Sequence, residues 1–345
     1  MPGVEPIFTR PRLRFARAST LVTVTLLLAC SPATVGSGDA GVSADQACTD
    51  SAYAKCSRYQ ACSPIVIQLR YGDESTCEAA IKQNCVNAIA APSSGSTPQN
   101  VEACAQAVPS WDCPDYLYTQ NPPPACVQVT GSIPDGGGCS HPSQCQSGFC
   151  AIVPGDACGS CAPPPQPGDS CAQLTTCGQQ LSCQTSTLTC AVFAGEGAAC
   201  GSSQPCAAGL NCIGSTSTTP GSCQVSATVP NAPCPTGSAG CELFAGLVCN
   251  SSSMTCQSAQ LVAPGQPCGD INHQTVSCQD DVKCLGESGS TPGTCEQLAA
   301  VGGTCDLVNG PACPTQTRCV LSGDAGASDG GTSGTCQYAG TSACP

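Results

Sequence analysis

Cysteine is the residue that most constrains what this chain can fold into. The 345 residues include 35 cysteines but only one Trp, six Tyr and five Phe, together with 38 glycines and 30 prolines. The chain is long enough for a large hydrophobic core, yet it lacks the large side chains to fill one. Disulfides have to replace that core, so we expect small disulfide-rich modules that form in an oxidising compartment.

The amino-terminal sequence predicts that the chain is exported from the cytosol. Its basic start is followed by Leu21 to Ala29, an apolar run with threonines. That run is too short for a permanent membrane span, which needs about 20 residues, so residues 1–29 are read as a signal peptide. The ending Leu27-Leu28-Ala29-Cys30 resembles the lipobox of bacterial lipoproteins. The resemblance implies cleavage before Cys30 and lipidation of its thiol, and several acyl chains on one residue anchor a protein durably to a membrane.

The residues around the cleavage site predict where the chain goes. Ser31 follows the cysteine, and in lipoproteins a residue other than aspartate at this place implies the outer membrane. We therefore expect a lipid-anchored protein of the outer membrane or cell surface. Secretion is the alternative, because Leu28 is bulkier than usual for its place. Residues 30–44, rich in Gly, Ser and Ala, predict a flexible tether.

Charge limits the partners. Six basic and 22 acidic residues follow residue 29, which gives a net charge of −16. Nucleic acids and anionic lipids bind proteins through clustered Lys and Arg. The composition therefore argues against nucleic acid as a partner, and the expected attachment to the membrane is through lipid on Cys30.

Residues 45–128 predict a helical cysteine domain. Ser43 followed by Gln46 is a capping-box pattern, which opens a helix from Ala44 to Ala61 that Pro64 is expected to close. A second helix is expected to begin after Asp73 or Ser75 and to run to about Ala90. A third is expected from Thr97-Pro98 to about Ala107, because a capping residue stands before a first-turn proline.

Two disulfides follow from equal spacing in this domain. Cys48 and Cys56 are eight residues apart, and so are Cys77 and Cys85. Eight residues is a little over two helical turns, so each pair lies on roughly one helix face. Two antiparallel helices would then be joined twice, which predicts Cys48–Cys85 and Cys56–Cys77.

Residues 139–345 predict an array of cysteine-rich repeats with short hairpins. Units start near residues 139, 171, 200, 234, 268 and 305, and such a period indicates stacked small modules. Most quartets open Gly-x-x-Cys, with Asn231 in place of glycine in one of them. Glycine and asparagine most easily adopt positive φ, so one turn geometry is expected throughout. Bridges are expected mostly within each unit.

The first two units carry a resemblance in their spacing, which reads Cys139-x5-Cys145-x4-Cys150-x7-Cys158-x2-Cys161-x9-Cys171-x5-Cys177-x5-Cys183-x6-Cys190. This pattern resembles the amino-terminal cysteine-rich domain of Dickkopf proteins, which has ten cysteines including an adjacent pair. Only Cys177 stands where that pair would be, and Cys344, outside the last quartet, is the spare that restores even parity. The whole chain also resembles bacterial cysteine-rich lipoproteins. Both resemblances imply an extracellular module and neither supplies an activity.

No pattern predicts a catalytic, cofactor-binding or metal-binding residue. Cys158-Gly159-Ser160-Cys161 has the spacing of a thioredoxin-type pair, but no strand–helix context surrounds it, so structural pairing is expected. His141 and His273 lack a nearby nucleophile pattern. Asp280-Asp281 lacks the ordered ligand spacing of a calcium loop. Trp111, in a turn before Cys113, is expected to pack on a disulfide.

The leading functional hypothesis is a non-enzymatic surface lipoprotein with a structural or adhesive role, whose repeats form a stiff projection from a lipid-proximal helical domain. The alternative is an extracellular binding module that presents disulfide-stapled loops to a protein or glycan partner.

Overall fold

The computed structural model describes residues 41–345 except for 173, 175–176, 178–180, 185–186, 202–203, 208, 217–218, 235–239, 251, 273, 281, 289–290, 309, 322–330, 341–343 and 345. The predicted signal peptide, Cys30 and most of the predicted tether lie outside these residues. Gly41–Pro345 forms a compact unit.

The amino-terminal part of this unit is helical. The helices are α1 (Ala44–Cys62), α2 (Pro64–Tyr71), α3 (Glu74–Ala90), α4 (Pro98–Ala107) and α5 (Cys113–Leu117), with 3₁₀ turns at Val108–Ser110 and Pro124–Cys126. Ser43 caps α1, since its Oγ accepts a hydrogen bond from the Gln46 backbone N–H at 3.1 Å. The Gln46 side chain donates to Asp50 instead of completing the expected box. Thr97 and Asn100 form a full capping box at α4.

Pro64 begins a helix that the sequence reasoning missed. The prediction that Pro64 only closes α1 was incomplete, because Pro64 is also the first residue of α2. Proline suits this first position, where no intrahelical N–H bond is required. Asp73, one of the two predicted caps, begins α3 by accepting from the Thr76 backbone N–H at 2.7 Å.

Four disulfides hold the helices together. Cys48 is joined to Cys85 and Cys56 to Cys77, the two pairs that the equal spacing predicts. The others are Cys62–Cys113 and Cys104–Cys126. The apolar core between the helices includes Val66, Ile67, Val108, Tyr116 and Leu117.

Six small antiparallel units follow the helices. We define them as units 1 to 6, covering 139–161, 171–190, 200–223, 234–256, 268–295 and 305–336. Their strands, with β11 preceding unit 5, are β1 (Gly138–Cys139), β2 (Cys150–Ala151), β3 (Gly159–Cys161), β4 (Leu181–Gln184), β5 (Thr189–Val192), β6 (Ala199–Cys200), β7 (Leu210–Ile213), β8 (Gly221–Val225), β9 (Leu247–Asn250), β10 (Thr255–Ser258), β11 (Gln260–Val262), β12 (Pro267–Ile271), β13 (Gln274–Cys278), β14 (Cys284–Leu285), β15 (Gly293–Cys295), β16 (Thr304–Asp306), β17 (Thr317–Leu321) and β18 (Ser333–Tyr338).

Each unit is held by two crossed disulfides. The first cysteine of its quartet pairs with the third, and the second with the fourth. The pairs are 139–150 and 145–161, 171–183 and 177–190, 200–212 and 206–223, 234–249 and 241–256, 268–284 and 278–295, and 305–319 and 313–336. The buried cluster of each unit consists mainly of these cystines.

The expected turn is present in every unit. The residue three before the first cysteine has φ between +63° and +96°, and its N–H donates to the carbonyl of the fourth cysteine. The residues are Gly136, Gly168, Gly197, Asn231, Gly265 and Gly302. The prediction that one positive-φ turn explains both Gly and Asn at this place is confirmed.

The units fold back on the helices, so the expectation of a stiff projection was wrong. Phe244 of unit 4 packs edge-on against Tyr118 with ring centroids 4.9 Å apart. Thr315 of unit 6 donates through its hydroxyl to the Arg70 carbonyl at 2.6 Å. Cys158 of unit 1 is joined to Cys344 after unit 6, across 186 residues of sequence. The last unit is therefore fixed beside the first.

Among the helices that the structure describes, none combines the length and apolarity needed to cross a bilayer.

Candidate functional site

The redox candidate is not a pair in this structure. Cys158 is bonded to Cys344 and Cys161 to Cys145. A dithiol–disulfide cycle needs both cysteines of the motif to bond to each other. The Cys-x-x-Cys spacing therefore reflects two separate structural links, one within unit 1 and one that closes the array.

Cysteine sulfurs also cluster at metal-ligand distances. In unit 1 the sulfurs of Cys139, Cys145 and Cys161 lie within 4.8 Å of one another, and other units repeat this. Every cysteine from Cys48 to Cys344 is disulfide-bonded. Since cysteine binds metals as a thiolate, these clusters are the signature of crossed cystines.

Two of the remaining sequence candidates, Asp280 and Trp111, are among the described residues. The Asp280 backbone N–H donates to the Gln68 carbonyl at 3.4 Å, and burial together with the charge of Asp73 raises the pKa of Asp280. Asp281 and His273 lie outside the described residues. Trp111 packs edge-on against Tyr116 at 5.3 Å, and both residues belong to the helical core that also contains the bonded Cys56 and Cys77.

A groove of about 850 Å³ lies between the end of the helical domain and units 1 and 2. We call it the interunit groove. One wall is the segment after α5, and the others come from unit 1, from the proline-rich linker and from unit 2. Its lining residues include Gln120, Gln128, Phe149, Pro164, Gln166 and Phe193.

A strained loop forms one edge of the interunit groove. Thr119 has φ +54° and Asn121 has φ +43°, and positive φ is rare for a β-branched residue. Three contacts hold the loop there: Trp111 Nε1 donates to the Gln120 carbonyl at 2.8 Å, Asn121 Nδ2 donates to Asp115 at 3.0 Å, and the Gln120 backbone N–H donates to the Asp115 carbonyl at 2.7 Å. Such strain concentrates at functional sites. Trp111 thus acts by positioning this loop.

The lining of the interunit groove is uncharged. No acidic or basic side chain is among its described lining residues, which combine amides, hydroxyls, prolines and phenylalanines. Val127 and Val192 lie in the lining and are each 52% exposed. Amide side chains offer both donors and acceptors, and exposed apolar groups provide contact area. The groove can therefore hold a neutral molecule that is rich in hydroxyl groups.

Sequence reasoning did not find this groove. Its walls come from separate segments spread between Thr119 and Ala207, and its residue types are ordinary loop residues. The only local signal was the proline cluster at 163–165, which was read as evidence against a redox helix.

The chain matches no protein-family model, no curated protein and no solved structure.

Proposed function

We propose that this chain is an exported, lipid-anchored and non-enzymatic adhesion module that binds a neutral surface glycan in the interunit groove. This combines the adhesive role with the binding-module alternative, since the glycan contact would be the adhesive contact.

The observation that carries the proposal is the lining of the groove. Amides and hydroxyls on an apolar floor suit a ligand with many hydroxyl groups and apolar C–H faces. The strained loop at Thr119–Asn121 supports the same reading, because a conformation that costs roughly 1–3 kcal/mol is held by three specific contacts at the groove edge.

The folded-back array favours binding over a purely structural spacer. A spacer would gain reach by keeping its units apart, whereas Cys158–Cys344 fixes the two ends of this array together. Closing the array limits its reach and restricts how far its two ends can move apart. A chain that is restricted before binding loses less conformational entropy on binding.

Export and anchoring are supported by chemistry. The units are held by crossed cystines, which persist in oxidising environments outside the cytosol. The lipobox-like ending at Cys30 supports a lipid anchor on the outer membrane or cell surface, and the resemblance to bacterial cysteine-rich lipoproteins agrees with it.

The test is a binding panel with the chain lacking its first 30 residues, since Gly41–Pro345 forms a unit of its own. Neutral oligosaccharides (β-1,3-glucan, β-1,4-glucan, mannan and chitin fragments) are titrated by calorimetry, with a sulfated oligosaccharide as a charged comparison. We expect saturable binding of at least one neutral oligosaccharide. It should weaken about tenfold or more, or 1.4 kcal/mol, in Gln120→Ala and Phe193→Ala.

Gln224→Ala is the matched control, because Gln224 is exposed on β8 and does not line the groove. No saturable binding to any neutral oligosaccharide, or equal losses in the groove variants and in Gln224→Ala, would contradict the proposal.

A further inference from the structure

A second concavity lies at the place where the array closes. It has a volume of about 430 Å³ and is lined by α1, α3 and α4, by His141 of unit 1 and by Gln316 of unit 6. We call it the closure pocket. It shares the wall of Thr119, Val127 and Gln128 with the interunit groove and is otherwise lined by different residues.

Lys55 of α1 carries the positive charge in this pocket. Its amino group has neither a hydrogen bond nor an ion pair with any residue that the structure describes. Protein surrounds the side chain on most sides, and this burial lowers the pKa of Lys55. The side chain is still only half-buried, because the pocket leaves open space beside it. An ammonium in such a place lacks the counterion that buried charges normally have.

His141 adds a neutral donor. Its Nδ1 accepts from the Ser143 backbone N–H at 3.2 Å, which assigns the ring proton to Nε2. Burial and the charge of Arg318 lower the pKa of His141 to about 4, so the ring is neutral at physiological pH. No described group accepts a hydrogen bond from Nε2.

The other walls are aromatic and polar without a negative charge. Tyr59, Trp111 and Tyr116 line the pocket, and no Asp or Glu is among its described lining residues. Gln316 is held by two neighbours: its Oε1 accepts from Asn84 at 3.2 Å, and its Nε2 donates to the Tyr71 hydroxyl at 3.3 Å. The chain as a whole has a net charge of −13. The formal charge of the closure pocket is positive because of Lys55, so it is opposite in sign to the net charge of the chain.

We propose that the closure pocket binds a small organic anion, a compact aromatic or apolar molecule that carries one oxyanion group. The oxyanion pairs with the Lys55 ammonium and the body of the molecule packs against the tyrosine and tryptophan rings. The volume lies in the range of small-molecule sites, which run from about 300 to 1,000 Å³. This site is separate from the proposed glycan groove, and the two proposals can fail independently.

The test uses two dyes that differ in one group. 8-Anilinonaphthalene-1-sulfonate carries a sulfonate, and N-phenyl-1-naphthylamine has the same rings without it. Both are titrated by fluorescence against the oxidised chain lacking its first 30 residues. We expect one saturable site that prefers the sulfonate dye. In Lys55→Met the affinity for the sulfonate dye should fall about tenfold or more, or 1.4 kcal/mol, while affinity for the neutral dye changes less than about twofold. Lys55→Arg should keep most of the preference.

Lys82→Met is the matched control. Lys82 lies on α3 and pairs with Asp45 at 2.8 Å, and it does not line the pocket. A peptide map that recovers the native disulfide pairs shows that each variant is folded. The proposal is wrong if the wild type shows no preference for the sulfonate dye, or if Lys55→Met and Lys82→Met weaken its binding equally. Neutral-oligosaccharide binding should be unchanged in Lys55→Met, which separates this result from the groove.

Discussion

Cys158 and Cys344 are bonded to each other across 186 residues of chain. Every other disulfide from unit 1 to unit 6 lies within a single unit. Cys158–Cys344 is therefore the disulfide that closes the array covalently. Gln316, a residue of unit 6, lines the closure pocket and is held there by hydrogen bonds with Asn84 and Tyr71.

Removing the closing disulfide should loosen unit 6 selectively. We expect Cys158→Ala/Cys344→Ala to lower the free energy of unfolding by about 2–4 kcal/mol, because the unfolded chain regains freedom. Hydrogen exchange should rise across 313–321 and 331–338 and be unchanged in unit 2. Denaturation followed by the fluorescence of Trp111 and exchange mass spectrometry measure the two effects. Cys171→Ala/Cys183→Ala is the control, with faster exchange confined to unit 2. Unchanged exchange in unit 6 of the Cys158/Cys344 variant would contradict this role.

The proposed lipid anchor on Cys30 predicts a specific mass for the native protein. Native protein isolated from membranes, alkylated and left unreduced, should have the mass of residues 30–345 plus acyl chains, less the hydrogens of full pairing and without alkyl adducts. In Cys30→Ser the acyl mass should be absent. A lipid-free mass of the native protein would instead indicate secretion, and alkyl adducts would indicate free thiols.

Acid should destabilise the fold through His141. The pKa of this ring is about 4 in the folded chain and near 6.5 when unfolded. Between these values the unfolded chain binds more protons, so stability falls as pH drops from about 6.5 to 4. The contribution is about 2–3 kcal/mol.

His141→Asn isolates this effect, because an Asn oxygen can accept from the Ser143 N–H in place of Nδ1. Guanidinium unfolding at several pH values should show a flatter profile for the variant between pH 4 and 6.5. Parallel profiles would exclude His141 as the source. The carboxyl groups that titrate in this range are present in both proteins and cancel in the comparison.

The backbone of Gly221 lies so close to the facing strand that a side chain at this position should be destabilising. A Cβ at this position would lie 2.4 Å from the Ile213 carbonyl oxygen on the facing strand. Gly221→Ala should therefore separate β7 from β8 and lower the yield of correctly paired unit 3, with a loss of about 2 kcal/mol or more. Gly195→Ala, where a Cβ meets nothing within 4 Å, should be neutral. Peptide mapping of Cys200–Cys212 and Cys206–Cys223 checks both, and equal yields would refute the steric argument.

Local signals in the sequence predicted local structure. Ser43, Asp73 and Thr97 cap the helices that they were expected to begin, because a cap needs only a neighbouring backbone N–H. Pro64 was misread, since proline both stops one helix and suits the first turn of the next. The regular Gly or Asn before each quartet indicated its turn because a positive φ restricts the residue type.

Long-range features were beyond the sequence. Four cysteines allow three pairings, so spacing alone could not choose the crossed pattern. Lys55 was counted only as one of six basic residues, because its pocket is assembled from residues as distant as Ser51 and Gln316. The contacts that bring them together, such as Thr315 with the Arg70 carbonyl, have no periodic signal.

The crossed cystines of the six units have a consequence for when this chain can fold. A unit whose buried cluster is mostly cystine has little to collapse around while its thiols are reduced. For the export that we propose, units that are still reduced in the cytosol would stay unfolded, which is the state that a translocation channel for unfolded chains admits. Oxidation after the proposed export would then trigger the folding of the units.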